Sequence, residues 1–144
     1  MKIVVDTNIV FSAILNSNGT INDLILNSFD NFSFFAPTFL IEELEIHHKK
    51  LKQISSFGDS DLNFLKRTIF HHIEFIDSEL VKSENWEKAF DLVHDIDEKD
   101  TPFVALALEL NATLWTGDKK LISGLKNKNI DLAISTNGIQ EIRK

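Results

Sequence analysis

Short apolar runs alternate with longer amphipathic stretches along the chain, and the two patterns predict two kinds of element. Lys2–Val5 is short and β-branched, as a strand covered on both faces should be. Asp6-Thr7-Asn8 ends it and supplies a cap for a helix over Ile9–Leu15. Asn16–Gly19 reads as a loop, and Thr20 opens a helix with Ile21, Leu24, Ile25 and Phe29 on its apolar positions. Ser33–Ala36 is a second short strand. Pro37 then falls where proline is tolerated, in the first turn of a helix running to about Ile54, with Leu40, Leu44, Leu51 and Ile54 on one stripe. Ser55–Ser60 reads as a loop that carries a new N-cap. The helix after it, Asp59 to about Phe70, has Leu62, Leu65 and Ile69 as its apolar face.

In the second half, Ile73–Ile76 alternates and predicts a third strand. Glu84–His94 is helical, with Trp86, Ala89, Phe90 and Val93 inward. Asp97–Leu110 carries a strongly apolar helix. Thr113–Thr116 is the fourth strand, Gly117-Asp118 turns out of it, Lys119–Leu125 is a short helix and Leu132–Ser135 a fifth strand. Alternating strands and helices imply an α/β fold, a mainly parallel sheet of about five strands with helices on both faces. No repeat and no Pro/Gly/Ser-rich linker divides the chain, so residues 1–144 are expected to form a single domain.

Composition narrows the class. With no Cys there is no disulfide framework, no thiolate zinc site and no cysteine nucleophile, which fits a reducing cytoplasm. The apolar start is interrupted by Asp6, Thr7 and Asn8, unlike a signal peptide, and no apolar run approaches the roughly 20 residues of a membrane span. A cytoplasmic protein with no membrane partner is expected. The net charge of −7 argues against the broad basic face of a duplex binder. It leaves room for a nuclease, because carboxylates that hold metal ions are themselves negative. The 12 Phe fall mostly in apolar patterns, Phe11, Phe35, Phe39, Phe90 and Phe103 among them, and read as core.

In an open α/β sheet, ligands bind outside the carboxyl ends of the strands. Asp6 lies at the end of strand one and Asp118 just beyond strand four. Glu43 projects from a helix entered from strand two, and Asp100 starts the apolar helix before strand four. Each has a structural alternative. Asp6 and Asp100 suit N-caps, Asp118 suits a turn, Asp97 suits a cap or a solvated loop, and Glu42, Glu43 and Glu45 suit a solvated helix N-terminus. His47 and His48 suit a surface pair. The functional reading rests on the joint placement of Asp6, Glu43, Asp100 and Asp118. Clustered carboxylates raise one another's pKa unless a cation joins them, and hard oxygen ligands favour Mg²⁺ or Mn²⁺. Such ions activate water and offset phosphoryl charge, which gives phosphodiester hydrolysis. A nucleic-acid backbone needs cations; Lys119 and Lys120, next to Asp118, are the best placed, with Lys49, Lys50 and Lys52 among the others.

Four segments in order, VVDTNIVFSAIL, APTFLIEELEIHHKKL, DIDEKDTPFVALALEL and TLWTGDKKLISGL, resemble the PIN-domain family of small metal-dependent nucleases. By that resemblance Asp6 is the first acid with Asn8 its polar neighbour. Glu43 is the second, with Glu42 as the one-residue alternative. Asp100 is the third with Asp97 as an additional acid, and Thr116 and Asp118 supply the family's threonine and fourth acid. The resemblance implies a three-layer α/β/α domain and Mg²⁺- or Mn²⁺-dependent cleavage of RNA. Asp6, Asp100, Asp118 and Asp97 would be metal ligands, with Asn8 and Thr116 hydrogen-bonded behind them. It also implies the stand-alone prokaryotic type, many members of which are toxins held by a small antitoxin protein and are commonly homodimers. A PIN-like module without catalysis that docks RNA is the alternative from another class. A metal-dependent phosphatase is a further one, against which stands Asp6-Thr7-Asn8 where those enzymes have two Asp two residues apart.

Overall fold

Five strands, β1 (Lys2–Val5), β2 (Ser33–Pro37), β3 (Ile73–Ile76), β4 (Thr113–Trp115) and β5 (Ala133–Ile134), form one sheet in a computed structural model that describes residues 1–144. Their order is β3-β2-β1-β4-β5 and every neighbouring pair is parallel. Strand β1 is central because it is the most apolar: Ile3, Val4 and Val5 are fully buried, and they register against β2 on one side and β4 on the other. The strand order reverses at β1, so the crevice between the carboxyl ends of β1 and β4 is the switch point where such sheets bind ligands.

Nine helices cover the sheet: α1 (Thr7–Leu15), α2 (Thr20–Asn27), α3 (Phe39–Ile46), α4 (His48–Ser55), α5 (Asp59–Phe70), α6 (Ser83–Asp97), α7 (Thr101–Leu110), α8 (Lys119–Asn127) and α9 (Thr136–Arg143). Helix α7 packs across β1, β2 and β4, with α6 against it and α8 beside α6. It is buried along Phe103–Ala107, which is why its sequence is apolar all round rather than striped. Helices α2 to α5 gather instead around α1 and one another. The result is the three-layer α/β/α arrangement. No helix is long and apolar enough to cross a membrane.

The strands fall within a residue or two of the expected places, and the departures have physical causes. The helix expected from Pro37 to Ile54 is two helices that meet at His47 (φ −95°, ψ 10°). The apolar stripe has no member on the turn between Leu44 and Leu51, where His47 and His48 stand, and the chain re-aims there. Ile54 consequently leaves the stripe and is exposed. Pro37 ends β2 instead of opening a helix, beyond the last residue paired with β1, so its missing N–H costs no bond there. Asp97 closes α6, a 3₁₀ turn over Glu98–Asp100 follows, and α7 starts at Thr101 because Pro102 fits only a first turn. Phe29 lies beyond the end of α2 and is exposed, as is Phe90 on α6. Helix α9 was not expected; Ser135 caps it through Gly138 N (3.2 Å) and Ile139 docks it.

Leu114, fully buried in β4, anchors the strand that closes the switch point. Leu114→Ala is expected to cost about 2–5 kcal/mol, read as a lower urea midpoint with unchanged m-value.

Candidate metal centre

Asp6 is the first residue past β1. Its N–H donates to the Trp115 carbonyl (3.0 Å), which extends the β1–β4 pairing by one step and turns the side chain in at the carboxyl edge. Only 6% of Asp6 is exposed. Its Oδ1 accepts from Thr7 N (2.7 Å) as it caps α1, and its Oδ2 accepts from Thr116 Oγ1 (2.6 Å) and Asn8 Nδ2 (3.2 Å). Asn8 Oδ1 accepts from Gly117 N (3.1 Å), and Thr116 Oγ1 accepts from Asp118 N (3.1 Å). The turn after β1 and the turn after β4 are thereby laced together. Asp118 caps α8 with one oxygen, Oδ1, which accepts from Lys120 N (2.9 Å) and Leu121 N (3.3 Å). The Oδ2 atom is left for the cleft.

Glu43 comes from the middle of α3, and Thr7 Oγ1 donates to its Oε1 (2.6 Å). Asp97 accepts from Lys99 N (3.0 Å) in the turn before α7. Asp100, on that same turn, is almost fully buried, and its Oδ2 has no hydrogen-bond partner. A cleft of about 400 Å³ brings these groups together: Asp6, Thr7, Asn8, Phe11, Ser12, Glu43, His47, Lys50, Asp97, Lys99, Asp100, Phe103 and Asp118 line it. Thr116 is fully buried behind Asp6.

The electrostatics follow from crowding and burial. Burial pushes Asp6 up from an ordinary 3.8 to about 6; the Thr116 and Thr7 bonds pull it down, and Glu43 and Asp118 push it up. Asp100 rises to about 7, again first by burial, then through Asp6, Asp97, Asp118 and Glu43. Two acids whose ionisation is opposed by burial and by neighbouring carboxylates, one of them with a buried and unpartnered oxygen, suit a hard divalent cation. No three acidic or histidine side chains are drawn tightly enough together to hold an ion by themselves.

Among the residues read from sequence, Asp6, Glu43, Asp100, Asp118, Asp97 and Asn8 line one cleft and Thr116 backs it; Glu42 does not line it. Lys119 and Lys120 are exposed at the start of α8 and lie outside the lining, whereas Lys50 and Lys99 belong to it. His47 lines the cleft too. His48 turns away: Lys66 Nζ donates to its Nδ1 (2.8 Å), so its Nε2 carries the hydrogen toward Asp59 Oδ1 (2.9 Å) and ties α4 to α5. Sequence reasoning missed the Thr7 bond to Glu43. Phe11, read as core, does pack against the core and also lines the cleft, on the face of α1 that it shares with Thr7, Asn8 and Ser12.

A family model described as a PIN domain matches residues 4–137. No curated protein sequence matches the chain. Among solved structures, the fold is similar to one described as VapBC2 from Rickettsia felis bound to a DNA fragment from their promoter. The match has 21% identity and a TM-score of 0.62, over 94% of this chain and 97% of that one.

The raised acids make a pH prediction. Below their ordinary range both are uncharged in the folded and unfolded chain. Above it the unfolded chain gives up its protons first, so their contribution to stability is lost as pH rises through about 6 and 7. The metal-free melting temperature is therefore expected to fall between about pH 4.5 and 7.5, and Asp100→Asn to flatten that fall. Parallel curves for parent and variant in EDTA would contradict it.

Proposed function

The chain belongs to the PIN-domain family, and from that membership we propose that it is a divalent-cation-dependent endoribonuclease that hydrolyses RNA phosphodiester bonds, the toxin of a toxin–antitoxin pair. The observation that carries this reading is the buried, unpartnered Oδ2 of Asp100 among four further acids in one cleft. The shared fold with VapBC2 supports it.

Asp6, Asp100 and Asp118 would hold Mg²⁺ or Mn²⁺ directly or through water, with Asp97 at the periphery. When bound, the ion lowers the pKa of water and offsets charge on the phosphoryl group. Glu43 orients the attacking water and accepts its proton. Thr7 fixes the Glu43 oxygen that it touches, which leaves the other oxygen for this role. Asn8 and Thr116 hold Asp6 in one orientation, as groups behind metal ligands do. The raised pKa of Asp6 and Asp100 means that protons compete with a cation for these carboxylates near neutral pH, so cation binding and activity rise as pH increases through about 6 and 7. The protein would act in the cytoplasm as one domain, with a small antitoxin over the cleft and a second copy of itself as further partner.

Asp6→Asn is expected to lower Mg²⁺-dependent RNA cleavage by at least about 100-fold while the circular dichroism spectrum stays native. Full activity in that variant would sink the assignment, and intact RNA across Mg²⁺ and Mn²⁺ titrations of the parent would favour the silent docking module. Thr7→Val should cost about 10–100-fold, and Thr7→Ser should restore most of it.

A further inference from the structure

The cleft is polar except for two rings, Phe11 and Phe103. Phe103 is 2% exposed and serves the core, where it meets Phe39 edge-on. Phe11 is different. It is half-buried, its back packs on the core, and it pairs with no other ring. A phenyl ring lining an acidic cleft offers apolar area that an occupant with its own π-face would cover. Two cations share the cleft, Lys50 from α4 and Lys99 from the turn before α7. Both are exposed and neither takes part in an ion pair, although five carboxylates stand in the same cleft. They are free to meet an anion. An aromatic ring and unpaired cations lining one cleft are the combination that grips single-stranded nucleic acid by stacking and phosphate contact. At about 400 Å³ the space is near the low end of ligand pockets and suits one nucleotide unit.

Resting on the ribonuclease reading above, we propose that the acid cleft contains a subsite for one unpaired ribonucleotide, its base stacked on Phe11 and its flanking phosphates held by Lys50 and Lys99. The cations lead the phosphate chain past the carboxylates that would otherwise repel it. The ring selects for a splayed base, so the substrate must be unpaired at the cleft whatever its fold elsewhere. Stacking tolerates every base, so the subsite selects for single-strandedness and leaves sequence choice to other contacts.

The test measures the fluorescence anisotropy of labelled single-stranded oligouridylate and oligoadenylate, and of an RNA duplex of equal length, in metal-free buffer. The parent should bind both single strands more tightly than the duplex. Phe11→Leu, which keeps an apolar side chain against the core, should weaken single-strand binding roughly 5- to 150-fold, and Phe11→Trp should restore it. Lys50→Ala and Lys99→Ala should each flatten the dependence of log affinity on log salt by about 0.7, while Lys88→Ala, on the exposed side of α6, leaves it unchanged. The same ranking is expected in KM for cleavage with Mg²⁺. Affinity and KM unchanged within about twofold in Phe11→Leu, or slopes unchanged in both lysine variants, would overturn the subsite. A parent that cleaves RNA while these variants match it loses the subsite alone. A parent that neither binds nor cleaves RNA loses the ribonuclease reading as well.

Discussion

The hydrogen bond from Thr116 Oγ1 to Asp6 Oδ2 joins residues 110 positions apart in sequence and sits at the junction on which the rest of the cleft depends. Asp6 ends the central strand, and Thr116 follows the strand paired with it. Their bond is buried, in surroundings where a hydrogen bond to a charged group is strong, and its loss leaves Asp6 Oδ2 with only the longer bond from Asn8 Nδ2 (3.2 Å). Asn8 adds a second link through Gly117 N, and Thr7 extends the chain of contacts to Glu43. Three consecutive residues, Asp6, Thr7 and Asn8, thus tie β1 to β4 on one side and to α3 on the other. The cleft inherits its shape from that tripeptide more than from any loop.

Capping and ligand placement turn out to be compatible. Read from sequence, the structural alternative to a site acid is a helix cap for Asp6 and a turn residue for Asp118. Asp6 does cap α1, and Asp118 does cap α8. A carboxylate has two oxygens and several lone pairs, so one oxygen can satisfy helix N–H groups while the other faces the cleft. The helix N-termini also favour the ionised form at the place where crowding and burial oppose it. Asp100 occupies the cap position of α7 but makes no side-chain cap bond, and it is the acid held highest, at about 7.

The strands and the four acids were legible because each rests on local rules: β-branched runs, an acid at a strand end, Pro in a first turn. Residues 2–5 and 73–76 carry their pattern without help from elsewhere. What was not legible depends on direction. The break at His47 shows in the stripe only as a missing apolar residue, and whether a helix bends or breaks there is settled by packing around α1 and β2. Which lysines reach the cleft could not be read from adjacency: Lys119 neighbours Asp118 in sequence but lies outside the lining, while Lys50 arrives from α4, 68 residues before Asp118. Thr7 was hidden by its ordinary role as a cap neighbour.

The strand order has a consequence in time. The central strand is made before both of its partners, and the second of them, β4, comes more than a hundred residues later. Pairing so distant in sequence forms late, because the loop entropy must be met before the contact rewards it. The nascent chain therefore carries Asp6 for 110 residues before it can seat it on Thr116. A growing polypeptide with this topology cannot complete its acid cleft until β4 and the turn after it have been made.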